Sequence, residues 1–397
     1  MKKNILIISG FYPTNGILSL INYFSYSLID NKNFNKEFNL KILIFNENFS
    51  VKIKKFFFNL YLSLKNLIFD QKNRIHDFAY SPKAFLNENP KLKKKIIFYS
   101  KDVEIINLKP SLIFPIYFPI KKENIKSIGY IYDFQHLDLP GLFTKKEIDL
   151  RNRLFSKIIM SNKSIFVNSN FIKKKILSKY DLKGKKIIKI PFLPYHFYNN
   201  EKKDFSQLKK IYNIKNNYFI ICNHFWKHKN HELAFKAFEK FLKFYPDYQL
   251  ICTGGSFDSR HPEYFIQLKK KYQKIIDSNR ILILGNINKD DQIELLKNSL
   301  AVVQPTSYEG GPGGFSAYEA IAYKKYLLLS DIPVNKEAKG KNVIFFKNNS
   351  SNQLLKKLIS IINKKKTKTK NKNVYDNSKI NKKKLGYFLY NFIKKLI

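Results

Sequence analysis

"LAVVQPTSYEGGPGGFSAYEAIAYKKYLLLS", residues 300–330, sets two short apolar runs (300–305 and 326–330) around a glycine loop and a compact apolar segment. Both runs are too short for helices and read as buried strands. Between them, "FSAYEAIAY" has the composition of a short buried helix starting near Phe315. Strand, loop, helix and strand in that order make a parallel pair with its own covering crossover.

The same alternation runs outward in both directions. In the first half, strands are expected at 4–10, 40–45, 127–133, 164–169 and 186–190, with helical patterns between them. The second half restarts with strands at 218–223, 248–255, 280–285 and 342–346 beside the two already named. This is the pattern of parallel sheets covered by helices on both faces. A chain of 397 residues exceeds one ordinary core and suits two domains with a cleft between them. The stretch 191–217 is broken by Pro191 and Pro194 and turns polar, so it reads as the linker. The expected division is a first domain over 1–195, a second over 196–375, and a tail helix over 376–397 able to dock back on the first.

A hydrophobic content of 44%, with 36 Phe and 25 Tyr, is enough for substantial cores and marks a globular chain. The formal charge is +43, from 73 Lys plus Arg against 30 Asp plus Glu, yet only five of the 73 are Arg. Base readout and bidentate phosphate clamps favour guanidinium, so this balance argues against a nucleic-acid partner. Composition bias explains the lysines first, with attraction to an anionic membrane surface as its by-product. Cys222 and Cys252 sit in apolar runs and read as buried reduced thiols, which fits the cytoplasm. The N-terminal "MKKNILIISGFYP" reads as a first strand rather than a signal peptide. The oily stretch 56–69 contains Lys65 and is short of the roughly 20 residues a spanning helix needs. Residues 52–69 suit an interfacial helix or an amphipathic core helix, so peripheral placement at the inner face of the membrane joins the cytoplasmic expectation.

Chemistry concentrates in the opening stretch, where Gly310, Gly311, Gly313 and Gly314 lie between two carboxylates, Glu309 and Glu319. A glycine loop leading into a helix offers unsatisfied N–H groups and a partial positive charge, with no Cβ to block a ligand. Such a site suits a diphosphate, while the carboxylates suit the hydroxyls of a sugar. A nucleotide sugar has both features. A second junction, "CNHFWKHKNHELAF" at 222–235, carries Lys227, His228, Lys229 and His231 after a strand, where cations would face the same crevice. No Cys or carboxylate joins His224, His228 and His231 at ligand spacing, so no metal is expected there.

Taken in order, "NHFWKHKNH", "LICTGG", "ILILGNI", "SLAVVQPTSYEGGPGGFSAYEAIA" and "LLLSDIPVNKE" resemble the retaining GT-B glycosyltransferases of family 4, also called glycosyltransferase group 1. "GYIYDFQHLDLPGLFTKKEI" and "FVNSNFIKKKIL" extend the resemblance more weakly into the first half. It implies an α/β GT-B fold, two Rossmann-like domains facing across a cleft, with a nucleotide-diphosphate sugar as donor and no cofactor or metal. Lys229 resembles the lysine that neutralises the diphosphate, Glu309 the glutamate that contacts the transferred sugar, and Glu319 the one that holds the ribose. Gly313, Gly314 and Phe315 fall at the donor loop, Gly16 in the N-terminal glycine loop facing the phosphates, and His136 near the reacting sugar. Four positions depart from the family pattern. The glutamates are ten apart instead of eight, His224 replaces a phosphate-binding arginine that Lys227 would have to compensate for, Lys324 replaces a glycine, and the first loop has one glycine where a pair is common.

The implied activity is hexosyl transfer, with mannosyl transfer one option, to a saccharide or lipid-linked acceptor in cell-envelope polysaccharide assembly. Competing readings are a nucleotide-sugar epimerase on the same fold, a glycoside hydrolase using the paired carboxylates, and a catalytically decayed basic membrane-binding protein.

Overall fold

The structure is a computed structural model that describes residues 2–10, 14–46, 82–118, 125–196, 204–215, 217–367 and 377–397. The 52–69 stretch lies outside the described residues. The chain forms two compact units. The first comprises Met1–His136, Thr144–Pro191 and Ile380–Ile397; the second comprises Leu137–Phe143 and Phe192–Lys379.

The first unit is built on seven strands: β1 (Lys3–Ile8), β2 (Phe38–Phe45), β3 (Ile96–Tyr99), β4 (Pro110–Ile116), β5 (Ser127–Ile131), β6 (Ser164–Val167) and β7 (Lys186–Lys189). Their order is β3-β2-β1-β4-β5-β6-β7, and every pairing is parallel. The sequence reading missed β3 and β4. Two prolines, Pro110 and Pro115, punctuate β4, and proline normally marks an edge or a break in a strand, yet β4 lies in the sheet interior between β1 and β5. β3 is only four residues long and follows a lysine-rich 3-10 turn, Pro90–Lys95, so no alternation is visible there.

Six strands make the second sheet: β8 (Tyr218–Cys222), β9 (Gln249–Thr253), β10 (Ile281–Gly285), β11 (Ala301–Gln304), β12 (Tyr326–Ser330) and β13 (Val343–Phe346). The order is β10-β9-β8-β11-β12-β13, again all parallel. Alternate residues of the strands fall into separate cores. Phe219, Ile221, Leu250, Cys252, Val303 and Leu328 pack with the His231–Leu242 and Ser351–Thr367 helices. Tyr218, Ile220, Ile251, Val302, Leu327 and Leu329 pack instead with Leu208, Leu295, Leu296, Ala317 and Ala320. A strand buried on both faces needs apolar side chains at every position, which is why these segments read as unbroken apolar runs. Each fully buried Phe or Leu stabilises the layer by about 1.5–3 kcal/mol.

Two segments depart from the expected organisation. The 191–217 stretch is more than a linker, since Phe205–Ile211 form a helix whose Leu208 is buried in the second unit's core. Leu137–Phe143 belong with the second unit although the surrounding chain belongs with the first. The terminal Ser378–Leu396 helix packs on the first unit: Leu385, Leu389 and Ile393 are fully buried, and Phe388 and Phe392 lie 6.2 and 5.2 Å from Phe166. At Gly386 a Cβ would collide with the Ser27 carbonyl, so glycine permits the close approach. Among the described residues no helix is long and apolar enough to cross a membrane.

Candidate active site

In a parallel sheet all loops that follow strands emerge on one edge, and ligands bind where the strand order reverses. In the second sheet the chain runs outward from β8 through β9 to β10, then restarts at β11 on the other side of β8. The switch point therefore lies between β8 and β11, and the loops after those two strands carry Lys229 and Glu309.

Lys229 ends a 3-10 turn (Lys227–Lys229), after which Asn230 takes a left-handed conformation, φ 54°, and the His231–Leu242 helix begins. Its ammonium donates to Glu309 Oε1 at 2.5 Å. Side-chain exposures of 13% and 10% make this a largely desolvated pair. Glu309 also packs against the start of the Gly314–Ala322 helix, with Oε2 3.5 Å from where a Gly314 Cβ would stand. A Cβ there would make ordinary contact with the carboxylate, and the preference for glycine at 314 comes from its left-handed backbone, φ 65°.

Side chains brace the glycine loop. Gly313 has φ 66°, and a Cβ there would meet the Ala317 Cβ at 2.5 Å, so both backbone and space require glycine. Its N–H, expected to face a ligand, donates instead to Asn335 Oδ1 at 2.9 Å, while its carbonyl accepts from Gln304 Nε2 at 3.0 Å. Gln304 in turn bonds Asn223 and Ser316. Asn335 is held by the carbonyl and hydroxyl of Ser330 at 3.0 and 3.1 Å, and the Ser330 hydroxyl donates to the Thr306 carbonyl at 2.5 Å. Ser307 N–H and the Thr306 hydroxyl close the loop onto the His228 carbonyl at 2.8 and 3.2 Å. The Gly314 N–H that opens the helix donates to the Gly311 carbonyl at 3.4 Å.

Glu319, on the same helix, is 4% exposed and pairs with Lys289, whose Nζ lies 2.7 Å from Oε1. The sequence reading missed Lys289. The only available signal was its place just after a strand, in "ILILGNINKDD", and in so lysine-rich a chain residue type adds nothing.

Nearby aromatic and basic groups fix the β8 loop. His224 Nδ1 accepts from Gly255 N–H at 2.9 Å, and its ring stacks on Trp226 at 5.2 Å. Arg260 lies over Trp226 and Phe143 at 5.6 and 5.2 Å and forks onto Asp258 at 2.9 and 3.0 Å. Lys227 is exposed. Burial drives His228 well below the usual imidazole range, helped by Lys229 and Arg260. His231, stacked on Phe225 at 4.0 Å, is pushed by burial to about 3. Both rings are therefore neutral packing groups at neutral pH. Phe315 and Tyr318 lie 5.5 Å apart on the motif helix. Cys222 and Cys252 are both free thiols, and burial pushes Cys222 up to about 12.

The remaining expected residues lie in the first unit. Gly16 is in the first turn of the Asn15–Ile29 helix, capped by Thr14, whose hydroxyl accepts from Ile17 N–H at 3.4 Å. His136 is fully buried against Phe155 at 5.4 Å and bonds Asn152 at 3.1 Å. Burial, then Arg151, lowers its pKa, so it too is neutral at pH 7. Arg151 itself pairs with Asp133 at 2.6 Å. That sheet's own switch point, between β1 and β4, holds Ser9, Gly10 and Tyr117, and the Tyr117 hydroxyl bonds the Ser9 carbonyl.

Residues 204–379 match the family model described as Glycosyl transferases group 1. No curated protein matches the chain. Solved structures do. A glycosyltransferase from Rickettsia africae ESF-5 is 14% identical with a TM-score of 0.55, covering 100% of this chain and 94% of that one. Anabaena HepE, solved with UDP and glucose, is 12% identical with a TM-score of 0.60, covering 99% and 97%. S. aureus MnaA, solved with UDP, is 13% identical with a TM-score of 0.58, covering 100% and 98%. The matched segment supports a glycosyltransferase, and the whole-chain likeness shows the GT-B fold, two Rossmann-like domains each built on a parallel sheet.

Proposed function

We propose that this chain is a retaining, family 4 type glycosyltransferase that moves a hexose from a nucleotide-diphosphate sugar to a saccharide or lipid-linked acceptor in cell-envelope polysaccharide assembly. The observation that carries the reading is the pair of ammonium–carboxylate contacts, Lys229–Glu309 and Lys289–Glu319, one at the start of the Gly314–Ala322 helix and one further along it, on the helix that follows the switch-point strand β11. Two largely buried charge pairs are a poor way to stabilise a core, because desolvation offsets most of their attraction. They are a good way to hold opposite charges ready for a ligand that carries both phosphates and hydroxyls.

Retaining transfer develops positive charge on the sugar ring and negative charge on the departing diphosphate, and preorganised charges lower that barrier. Lys229 and the first-turn amides of the Gly314–Ala322 helix face the diphosphate. Glu309, drawn off Lys229 as the phosphates arrive, accepts from the hydroxyls of the transferred sugar, and Glu319 takes the ribose. A donor phosphate oxygen accepts the proton of the attacking hydroxyl, so the protein supplies no nucleophile. The cation excess supports peripheral attachment to an anionic membrane.

The test is a panel of UDP and GDP sugars incubated with the full chain, read by thermal stabilisation and by product analysis. Release of nucleoside diphosphate supports transfer. Isomerised nucleotide sugar would identify an epimerase, and no saturable binding of any member would overturn the reading.

A further inference from the structure

Lys289 opens the Lys289–Asn298 helix after β10 and reaches across to the neighbouring Gly314–Ala322 helix, where its Nζ meets Glu319 Oε1 at 2.7 Å. It also donates to Gln292 Oε1 at 2.7 Å, and Gln292 Nε2 donates to Thr253 Oγ1 at 2.7 Å. The lysine is thus tied back to the end of β9. Side-chain exposures are 21% for Lys289 and 5% for Glu319. Glu319 Oε1 is fully buried and, although it faces the ammonium, takes no hydrogen bond from the described residues. Both charges also act on the Cys222 thiol at the end of β8, Lys289 lowering and Glu319 raising its pKa. The pair therefore sits at the ligand-binding edge of the sheet, beside the switch point.

A carboxylate oxygen this deep, facing one cation and taking no hydrogen bond from the described residues, is under-satisfied for a purely structural group. We propose that Lys289 is a positioning residue that pins Glu319 so that its carboxylate accepts the two neighbouring hydroxyls of a ribose, making the site selective for ribonucleotides over 2′-deoxyribonucleotides. The inference rests on the donor-site reading above. The ammonium fixes Oε1, which leaves Oε2 to the diol. Without the cation the carboxylate has no partner to hold Oε1 in place and is free to turn in its site. The diol would then lose its paired acceptor.

The experiment titrates the full chain with UDP, 2′-deoxy-UDP, GDP and 2′-deoxy-GDP by calorimetry. Wild type should favour the ribose form of its preferred base by about tenfold or more, the scale of one hydrogen bond to a charged group. Lys289→Met should reduce that preference to within about twofold by weakening the ribonucleotide while leaving the 2′-deoxy form unchanged, and Lys289→Arg should restore it. Lys289→Gln gives the same reading should Lys289→Met not fold. In a Glu319→Gln background, removing Lys289 should change the preference no further. A folded Lys289→Met or Lys289→Gln protein that keeps the wild-type preference while Glu319→Gln loses it would overturn the role of Lys289. Preference unchanged in Glu319→Gln as well would overturn the donor-site reading beneath it.

Discussion

Glu309→Gln and Lys229→Met perturb the two ends of one ion pair and should move nucleotide affinity in opposite directions. In the free protein the Lys229 ammonium is held by Glu309 at 2.5 Å, with both side chains about nine-tenths covered. A diphosphate has to draw that ammonium away. A hydrogen bond to a charged partner stabilises by about 1.5–3 kcal/mol, and one to a neutral partner by about 0.5–1.5 kcal/mol. Replacing the carboxylate by an amide of the same shape therefore removes about 1 kcal/mol of competition, along with the repulsion between Glu309 and an incoming phosphate. Glu309→Gln should bind UDP or GDP about fivefold more tightly than wild type, while sugar transfer falls because the hydroxyl acceptor has lost its charge.

Lys229→Met should weaken the same nucleotide roughly ten- to hundredfold through loss of one charge-assisted contact. It also strands a buried carboxylate, at a cost of about 3–5 kcal/mol of stability, so binding has to be measured well below its melting temperature. The assay is calorimetric titration of both variants at one ionic strength, paired with product analysis using the best donor of the panel. Glu309→Gln binding the diphosphate at wild-type strength or more weakly would refute the idea that Lys229 is shared between Glu309 and the leaving group.

Three further outcomes test other parts of the structure. Lys324→Gly should stabilise the second unit by about 1 kcal/mol, a rise of roughly 2–4 °C in melting temperature, because Lys324 stands at φ 58° where a side chain is strained. Gly313→Ala should do the reverse, by more than 1 kcal/mol, since it combines a left-handed backbone with a Cβ clash against Ala317, and a thermal melt reads the loss. His231 stays neutral in the folded protein down to about 3, whereas an unfolded chain protonates it near 6.5. Folding stability is thus complete above pH 6.5 and falls as the pH drops from there toward 3, by close to tenfold in the folding equilibrium per unit for this group, a slope that His231→Phe should flatten in urea melts.

Much of the second unit was legible because burial on both faces of a parallel sheet leaves an unambiguous trace. All six of its strands coincide with apolar runs, and the motif loop falls where strand and helix meet. In the first unit the trace breaks at β4, where Pro115 occupies an interior strand, and at β3, where four residues follow a run of lysines. The helix Phe205–Ile211 was hidden in a polar, proline-bounded stretch, and its buried Leu208 and partly buried Phe205 tie it to the core. The assignment of Leu137–Phe143 to the second unit follows from contacts such as Arg260 over Phe143, which join residues more than a hundred apart in sequence. No local pattern encodes such a contact.

The candidate site divides along the same physical line. Glu309 and Glu319 stood out because carboxylates are scarce in this chain, 30 acids among 73 bases, so each buried acid calls for an explanation. Lysine carries no such information, and Lys289 became visible only once the fold set it 2.7 Å from Glu319. The departures at His224 and Lys324 show what the fold tolerates around that core. His224 spends its ring on Gly255 N–H and on Trp226, so the position that would supply a guanidinium supplies a brace for the loop after β8. Lys324 holds the left-handed turn that a glycine would hold more cheaply, and the helix still closes with Lys325 N–H on the Ala320 carbonyl at 2.8 Å and Lys324 N–H on the Ile321 carbonyl at 3.0 Å. Both substitutions alter how the backbone is supported and leave the two charge pairs standing. On the proposed donor-site reading, the positive charge that a guanidinium would have brought comes from Lys229 after β8, while Lys289 after β10 holds Glu319.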